Sequence, residues 1–281
     1  MLKIGDYNIL QAVKFVEFGA YLKDPDGEET VLLPKKYVTE DMKKDDNIEV
    51  FVYLDSEDRK VATTLHPFGK VNEIVNLLCV GSSEIGAFLD WGLEKDLFVP
   101  FKHQNQRMRK HEHYVVKILY DEVSGRLLGS NAFGRILHGD SSKVKIGDEM
   151  QLVIFGENAN GFQVVANNEF MGILYKNQVF DELKIGDSVK GYVSKVREDG
   201  KIDFSMRRAG FKGVVSEKDK VFEILSSAPD GKMMINSKTP PVEIYEIFKM
   251  SKKTFKQLIG MLYKERKIII RDDYIEVVKQ K

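Results

Sequence analysis

The sequence predicts a mainly β, multidomain fold, with three small five-stranded barrels in tandem followed by an α+β domain. Three observations lead to this prediction. An N-terminal segment recurs twice along the chain, short stretches of alternating apolar and polar residues fill residues 1–210, and helical periodicity appears in residues 211–281. Alternation with a period of two is typical of strands, and internal repeats indicate tandem domains.

The repeat is carried by three matched segments at a common shift. Agreement at one place would mean little, but agreement at three places indicates a duplicated unit. Residues 18–22 return as 85–89, residues 31–34 return as 97–100, and the strand end at Asp55 returns at Asp121, with shifts of 66 or 67 positions. A more diverged third copy follows from a shift of 141 positions, which places Tyr21 on Phe162 and Leu33 on Leu174.

Each repeat has the pattern of five short strands. In the first copy, residues 10–16 lead into Gly19-Ala20, where small residues permit a bend or bulge. Residues 24–27 form a turn, and further strands are predicted at 29–33, 47–54 and 60–64. Five short strands in this order are typical of a Greek-key barrel of the OB type, so we predict barrel domains at 1–66, 67–139 and 140–210.

Residues 211–281 have a different pattern. Ser216 and Ser251 are predicted to cap helices, and Pro240-Pro241 to open another helix between them. A strand is predicted at 232–236 and a hairpin at 267–278. The last helix has a predicted buried face formed by Phe255, Leu258, Ile259 and Leu262. Helix, strand, helix, helix and hairpin is the order of a winged-helix domain.

Charge and hydropathy narrow the class of protein. The formal net charge is zero, but residues 1–66 carry −5 (9 basic and 14 acidic side chains) and residues 211–281 carry +5 (15 basic and 10 acidic). We therefore expect contacts with a polyanion at the C-terminal end or at local patches. The start lacks the pattern of a secretory signal, and apolar runs stay below the roughly 20 residues of a spanning helix. These features predict a cytoplasmic protein that does not bind membranes.

Known catalytic patterns are missing from the sequence. Cys79 is the only cysteine and lies in an apolar strand, so we expect a buried thiol rather than a nucleophile. His111 and His113 project the same way on a strand and could hold a metal, but without an apparent third ligand a solvated loop is the default. Phosphate-binding loops, dinucleotide fingerprints and nucleophile elbows do not occur. We expect no enzyme activity, cofactor, metal or small-molecule substrate.

The repeats carry a recognisable set of residues. Residues 18–22 read Phe-Gly-Ala-Tyr-Leu, an aliphatic strand follows, and residues 55–59 run from Asp through a turn to Arg. This pattern resembles the S-one-type RNA-binding repeat of the largest protein of the small ribosomal subunit. In that family two aromatics, a histidine, an aspartate and an arginine contact single-stranded RNA. The resemblance implies RNA contacts at Phe18, Tyr21, Asp55 and Arg59 in the first copy, Phe88, Asp121 and Arg126 in the second, and Phe162 and Lys201 in the third.

The copies depart from that pattern at named positions. Ile85 stands in place of the first aromatic in the second copy, and Val196 in place of the aspartate in the third. Pro34, Pro100 and Tyr175 fall near the place of the histidine.

Physical reasoning points to the same face of the first copy. Exposed aromatics stack bases and basic side chains follow phosphates, and Lys35, Lys36 and Tyr37 add to the pair Phe18 and Tyr21. Packing inside the barrel is the alternative role for these aromatics. Phe15 and Phe18 are an odd number of residues apart, so one of them belongs in the core unless a bulge intervenes.

The C-terminal domain has a candidate nucleic-acid surface of its own. Lys252, Lys253 and Lys256 lie near the start of the last helix on its non-core side, where helix-turn-helix proteins meet nucleic acid. Lysines favour phosphate contacts over the reading of base edges. Two alternative roles for this basic face are the reading of duplex DNA and a purely solvated or partner-docking surface.

The layout of three degenerate barrels and a winged helix, with the runs at 248–256 and 262–265, is similar to the bacterial conserved virulence factor B family. The resemblance implies an RNA-binding protein that influences gene expression. We predict a non-enzymatic protein that binds single-stranded RNA and regulates gene expression after transcription. Two alternatives are a winged-helix transcription regulator that binds duplex DNA, and an adaptor that docks on the ribosome or on an RNA-decay enzyme.

Overall fold

A computed structural model describes residues 1–176, 179, 182–206 and 211–278, with the backbone alone for residues 211–216. Backbone contacts divide the chain into two compact units, one formed by residues 1–139, 152–171 and 183–189 and the other by residues 140–151, 172–182 and 190–281. Residues 207–210, where the predicted limit between the third barrel and the C-terminal domain falls, lie outside the described residues.

The first module is a closed barrel with the strand order β1-β2-β3-β5-β4. A bulge between Ala12 and Lys14 shifts the register of β1 against β2. Gly19 opens β2 so close to β3 that an added Cβ would lie 2.1 Å from the Leu33 carbonyl oxygen, which explains the small residue at the bend. The strands are β1 (Asp6–Val16), β2 (Gly19–Lys23), β3 (Thr30–Pro34), β4 (Asn47–Leu54) and β5 (Lys60–Thr63).

The second module repeats this strand order as β10-β9-β6-β7-β8. It differs in one respect, because within the described residues 97–100 and 126–130 no backbone ladder joins β8 to β10. The two strands are still adjacent, with Gly129 against the side chains of Leu97 and Val99. The strands are β6 (Ile74–Ser82), β7 (Gly86–Asp90), β8 (Leu97–Pro100), β9 (His113–Asp121) and β10 (Arg126–Ser130).

The third module follows a short helix α1 (Phe133–Ile136) and is again a closed barrel, with the order β11-β12-β13-β15-β14. The predicted mainly β architecture of OB-type sheets is thereby confirmed. The strands are β11 (Glu149–Glu157), β12 (Gly161–Ala166), β13 (Phe170–Tyr175), β14 (Ser188–Val196) and β15 (Ile202–Ser205).

The C-terminal domain packs three helices against a sheet of order β16-β18-β17. The predicted buried face of its last helix is confirmed, since Phe255, Leu258, Ile259 and Leu262 are all buried. The elements are α2 (Phe211–Ser226), β16 (Lys232–Met233), α3 (Pro241–Phe248), α4 (Lys252–Lys264), β17 (Ile268–Ile270) and β18 (Ile275–Val277).

Helix and strand limits in this domain differ from the sequence prediction in two places. The Ser251 hydroxyl accepts a hydrogen bond from the Thr254 backbone N–H, which confirms this predicted cap. The cap predicted at Ser216 is wrong, because α2 begins earlier, at Phe211. The strand predicted over 232–236 is only two residues long, because β16 pairs with β18 at Lys232 and Met233 alone.

A shared apolar core joins the first two modules. Phe51 of β4 is fully buried and its ring meets the ring of Trp91 edge-to-face, with centroids 5.9 Å apart. The Trp91 indole N–H donates to the Lys95 carbonyl oxygen at 2.7 Å. Tyr53 and Val61 lie in the same cluster, and burial raises the pKa of Tyr53 to about 12. The outer surface of β4 and β5 is therefore covered by the second module.

Two further sequence predictions concern the thiol of Cys79 and membrane-spanning helices. Cys79 is fully buried and its thiol lies 3.3 Å from the Gly81 carbonyl oxygen, so the prediction of an interior thiol is confirmed. Along the described part of the chain, the helices fall short of the length and apolarity needed to cross a lipid bilayer.

We expect Phe51→Ala to lower the free energy of unfolding of the joined modules by about 3–5 kcal/mol, because it empties a fully buried site beside Trp91. Urea unfolding followed by the emission of Trp91, the single tryptophan of the chain, measures this loss. Phe68→Ala is the control, since Phe68 is 64% exposed and its loss should change stability by less than about 0.5 kcal/mol. Equal effects of the two substitutions would contradict the shared core.

Candidate nucleic-acid interface

One register feature recurs in all three modules and decides which side chains face outward. In each module a bulge near the end of the first strand shifts the pairing register between the first and second strands. The residues paired just past the bulge are Lys14 with Tyr21, Gly81 with Phe88, and Gly156 with Gln163. Because strand side chains alternate between faces, Tyr21, Phe88 and Gln163 occupy equivalent outward positions.

The first module presents an aromatic pair. Phe18 is 57% exposed in the turn before β2, and Tyr21 is half-buried on β2. Their ring centroids are 6.4 Å apart with an interplanar angle of 85°. Phe15 is exposed as well, because the bulge in β1 and the turn after Val16 remove the strict alternation between Phe15 and Phe18. The pair therefore has free ring surface on which a base could stack.

The turn after β3 brings basic side chains near this pair. Lys35 is exposed, and its backbone N–H donates to the Phe18 carbonyl oxygen at 2.9 Å. Lys36 forms an ion pair with Glu94 of the second module, and its ammonium nitrogen lies 5.1 Å from the centroid of the Tyr37 ring. The Tyr37 ring packs against the core of the first module. Both lysines are exposed, but among the described residues only Lys36 is in an ion pair, so Lys35 is the lysine open to a ligand.

Asp55 and Arg59 form a closed unit at the β4–β5 turn. Two nitrogens of the Arg59 guanidinium donate to one Asp55 oxygen, at 2.9 and 2.8 Å. The other oxygen accepts from the backbone N–H groups of Glu57 and Arg59. Burial alone would raise the pKa of the Asp55 carboxyl, but these hydrogen bonds and the charge of Arg59 hold it below its ordinary value. Asp55 thus orients Arg59 and stabilises the turn.

The second module carries a groove on the equivalent face. Its volume is about 410 Å³. The rings of Phe88 and Phe98 lie side by side with centroids 5.3 Å apart, and Ile85, 66% exposed, stands where Phe18 stands in the first module. Phe98 is paired with Phe88 across β7 and β8. Sequence reasoning missed Phe98 as a site residue, although its alternation with the buried Leu97 and Val99 would have shown that it faces outward.

Six charged side chains of the described residues line this groove, and three of them form ion pairs with one another. The six are Asp58, Lys95, Asp96, Lys102, Asp121 and Arg126. Arg126 and Lys95 both bond to Asp58, which reaches over from the first module. Asp121 accepts from the Ser124 hydroxyl at 2.7 Å and from the Val123 backbone N–H at 3.2 Å, and these bonds lower its pKa. Asp121 therefore serves the turn before β10.

The third module differs from the sequence alignment by one residue. Phe162 is only 8% exposed, and the outward position equivalent to Tyr21 is held by Gln163. The alignment of Phe162 with Tyr21 is therefore wrong, because a one-residue slip moves every strand side chain to the other face. The ring of Phe162 lies in the interior and is not available for stacking.

The same slip affects the aspartate position. The backbone N–H of Asp55 bonds to the Arg59 carbonyl oxygen, and that of Arg197 bonds to the Lys201 carbonyl oxygen. Arg197, rather than Val196, therefore takes the place of the family aspartate. Its guanidinium is held by Asp203 at 2.6 Å and by the Tyr175 hydroxyl at 2.8 Å, and Lys201 pairs with Asp199 at 3.1 Å.

In the C-terminal domain, the three predicted lysines of α4 differ in whether their ammonium groups are free to contact a ligand. Lys253 and Lys256 are exposed. The ammonium of Lys252 instead donates to the Lys238 carbonyl oxygen at 3.0 Å. Gln257 lies beside Lys256 on the exposed face, and an added Cβ at Gly260, one turn further, would meet no atom within 4 Å. The outer face of α4 is thus basic and sterically open.

His111 and His113 are the histidines that the sequence offered as candidate metal ligands. His111 has a left-handed backbone with φ of 70° and precedes β9, which His113 opens. Across the residues that the structure describes, three or more His, Cys, Asp or Glu side chains do not gather into a cluster that could hold a metal.

The Asp55–Arg59 unit makes stability depend on pH. The pKa of Asp55 lies below its ordinary value of 3.8 in the folded chain, so the stability it contributes is present above that value and is lost as the pH falls through the lower folded pKa. Asp55→Asn keeps the turn acceptor but not the charge. We expect urea midpoints of the wild-type chain to fall more steeply than those of the variant between about pH 5 and pH 2. Parallel curves would contradict the role given to Asp55.

Two parts of the chain match known family models. Residues 4–65 match the S1 domain family model, and residues 219–277 match the CvfB-like winged helix domain model. A crystal structure of a multidomain protein with nucleic acid binding domains from Streptococcus pneumoniae TIGR4 aligns over 98% of this chain and 98% of its own, at 19% identity and with a TM-score of 0.43.

Two curated relatives extend over most of the chain. The Bacillus subtilis protein YitL is 28% identical over 260 residues, covering 90% of this chain and 86% of its own. Conserved virulence factor B of Staphylococcus saprophyticus is 23% identical over 296 residues, covering 99% of this chain and 95% of its own. The predicted resemblance is confirmed: the chain is similar to the conserved virulence factor B proteins along nearly its whole length, and it matches the S1 domain model near one end and the CvfB-like winged helix model near the other.

Proposed function

We propose that this chain is a non-enzymatic protein that binds single-stranded RNA and regulates gene expression after transcription in the cytoplasm. The observation that carries the proposal is the edge-to-face pair of the exposed Phe18 and the half-buried Tyr21, which lies within the residues matched by the S1 domain. Single strands offer unstacked bases, and aromatic rings on an OB-type barrel face stack them without the need for a paired helix.

The second module supports the same ligand. Phe88 and Phe98 line its groove, and the exposed Ile85 extends the apolar surface. Bases that leave the first module could continue along this groove, since both modules belong to one compact unit. The third module has Gln163 in the aromatic position, so we assign it phosphate contact through Lys201 at most.

The winged helix adds charge rather than sequence reading in this proposal. Lys253 and Lys256 are point charges suited to phosphates, whereas bidentate reading of a base edge needs Arg, Asn or Gln. Gln257 is the one exposed amide on this part of α4. A regulator that reads duplex DNA would therefore depend on Gln257. The two candidate functions are distinguished by comparing the affinity of the chain for one nucleotide sequence in single-stranded and in duplex form.

We expect Phe18→Ala or Tyr21→Ala to weaken binding of a short fluorescein-labelled oligouridylate by about five- to 150-fold, because stacking of one base contributes about 1–3 kcal/mol. Fluorescence anisotropy on the full chain measures the dissociation constant. Phe68→Ala removes an exposed ring that belongs neither to the pair nor to the groove-lining residues, and it should bind like the wild type. Unchanged affinity of the two site variants would refute the assignment.

The lysines of α4 should act through charge alone. We expect Lys253→Ala and Lys256→Ala each to lower the slope of log affinity against log salt by about 0.7, the value for one phosphate contact on a single strand. Lys252→Ala is the matched control and should have a smaller effect, because its ammonium already bonds to Lys238. Tighter binding to one duplex sequence than to its single strand would favour the DNA-reading regulator instead. Co-purification of ribosomes or of an RNA-decay enzyme after nuclease treatment would favour the adaptor.

A further inference from the structure

We infer that Asp58 of the first module occupies a phosphate-binding position formed by Lys95 and Arg126 of the second module. Single-stranded RNA would bind across this seam by displacing the Asp58 carboxylate. The inference rests on the proposed function and adds to it a defined subsite and an intramolecular competitor.

The first step is the backbone conformation of Asp58. It is left-handed, with φ of 60°, at the residue just before the basic side chain of the β4–β5 turn. The equivalent turns of the other modules have glycine at this place, Gly125 with φ of 68° and Gly200 with φ of 79°. Glycine adopts this conformation without strain, and aspartate is one of the few residue types with a side chain that also adopts it. The backbone therefore permits an aspartate at position 58, and the first module alone of the three has a carboxylate there.

The second step is what the carboxylate contacts. One Asp58 oxygen accepts from the Lys95 ammonium at 3.1 Å, and the other accepts from the Arg126 guanidinium. Lys95 also donates to the Asp55 carbonyl oxygen at 2.6 Å, which holds it at the seam. These side-chain hydrogen bonds lower the pKa of Asp58, so it is an anion at neutral pH. An ammonium and a guanidinium that converge on one anion form a suitable site for a phosphate.

The third step is the surface beside this site. Asp58, Lys95, Arg126, Phe88 and Phe98 line one groove, together with Trp91. A nucleotide needs both an anion site and an apolar ring surface, and this groove offers both within one cavity. The carboxylate of Asp58 is partly exposed, and exposed ion pairs contribute little to stability, so a phosphate can replace it without loss of a strong contact.

The experiment compares two neutral variants, Asp58→Gly and Asp58→Asn, in the full chain. Both residue types tolerate the left-handed conformation, so at least one should keep the turn. We expect about three- to tenfold tighter binding of fluorescein-labelled oligouridylate, since two exposed ion pairs no longer have to be broken. We also expect a salt slope steeper by about 0.7 to 1.4, because in the wild type the displaced Asp58 carboxylate takes up cations and offsets part of the counterion release, whereas the variants have no such carboxylate.

Two controls separate the subsite from a general change of charge. Glu29→Gln also removes a carboxylate from an ion pair of the first module, with Lys60, but that pair is not among the groove-lining residues. It should leave the affinity nearly unchanged. In a Lys95→Ala, Arg126→Ala background, Asp58→Gly should have no effect. Oligouridylate should also change the emission of Trp91, whose buried ring borders the groove.

The outcomes distinguish this inference from the function beneath it. Tighter binding by the Asp58 variants, absent in the double-alanine background, supports the subsite. If the wild-type chain binds RNA and neither Asp58→Gly nor Asp58→Asn changes the affinity, the subsite is overturned and the proposed function remains. The same holds if Glu29→Gln raises the affinity as much as the Asp58 variants do. No binding of RNA by the wild-type chain overturns both.

Discussion

The packing of Phe51 against Trp91 is the constraint on which the arrangement of the first two modules depends. It buries the outer surface of β4 and β5, so this part of the first barrel cannot face a ligand. Phe18 and Tyr21 lie away from the buried surface, near β1 and β2, and remain open. The same packing holds the β4–β5 turn over the second module, which brings Asp58 to the edge of the groove. A hydrophobic contact thus selects which face remains for the nucleic acid.

Much of the fold could be predicted because it depends on local pattern. Alternating strands, a small-residue bend and turn residues occur in each repeat, and these features are properties of neighbouring residues. The third repeat shows the limit of such reasoning. Aligning its aromatic residue placed Phe162 outward, whereas aligning the glycine of the bend, Gly161 with Gly19, gives the register found in the structure. In the first two modules the bend glycines, Gly19 and Gly86, are required by a close approach of backbone, so the glycine of the bend was the better anchor for the alignment.

The parts of the site that could not be predicted depend on contacts between modules. Asp58, Glu94 and Lys95 looked like ordinary turn residues in the sequence, where charged side chains serve solubility. Their roles appear only when the second module is placed against the first. Phe98 is different, because its strand alternates cleanly with buried Leu97 and Val99 and its outward direction was available from the sequence. Most of the site residues that the sequence did not reveal were therefore missed because their partners are far away in the sequence, and not because their local pattern is weak.

A chain with zero net charge does not attract a polyanion by its overall field, so binding has to come from local groups. In the first two modules many of those groups already bond to carboxylates: Arg59 to Asp55, Lys36 to Glu94, and Arg126 to Asp58. A phosphate that replaces a carboxylate gains little by itself, because one anion is exchanged for another. The net gain must then come from stacking on Phe18, Tyr21 and the rings of the groove. On the proposed function, such a surface would bind polyanions without free bases, duplex nucleic acid included, more weakly than single strands.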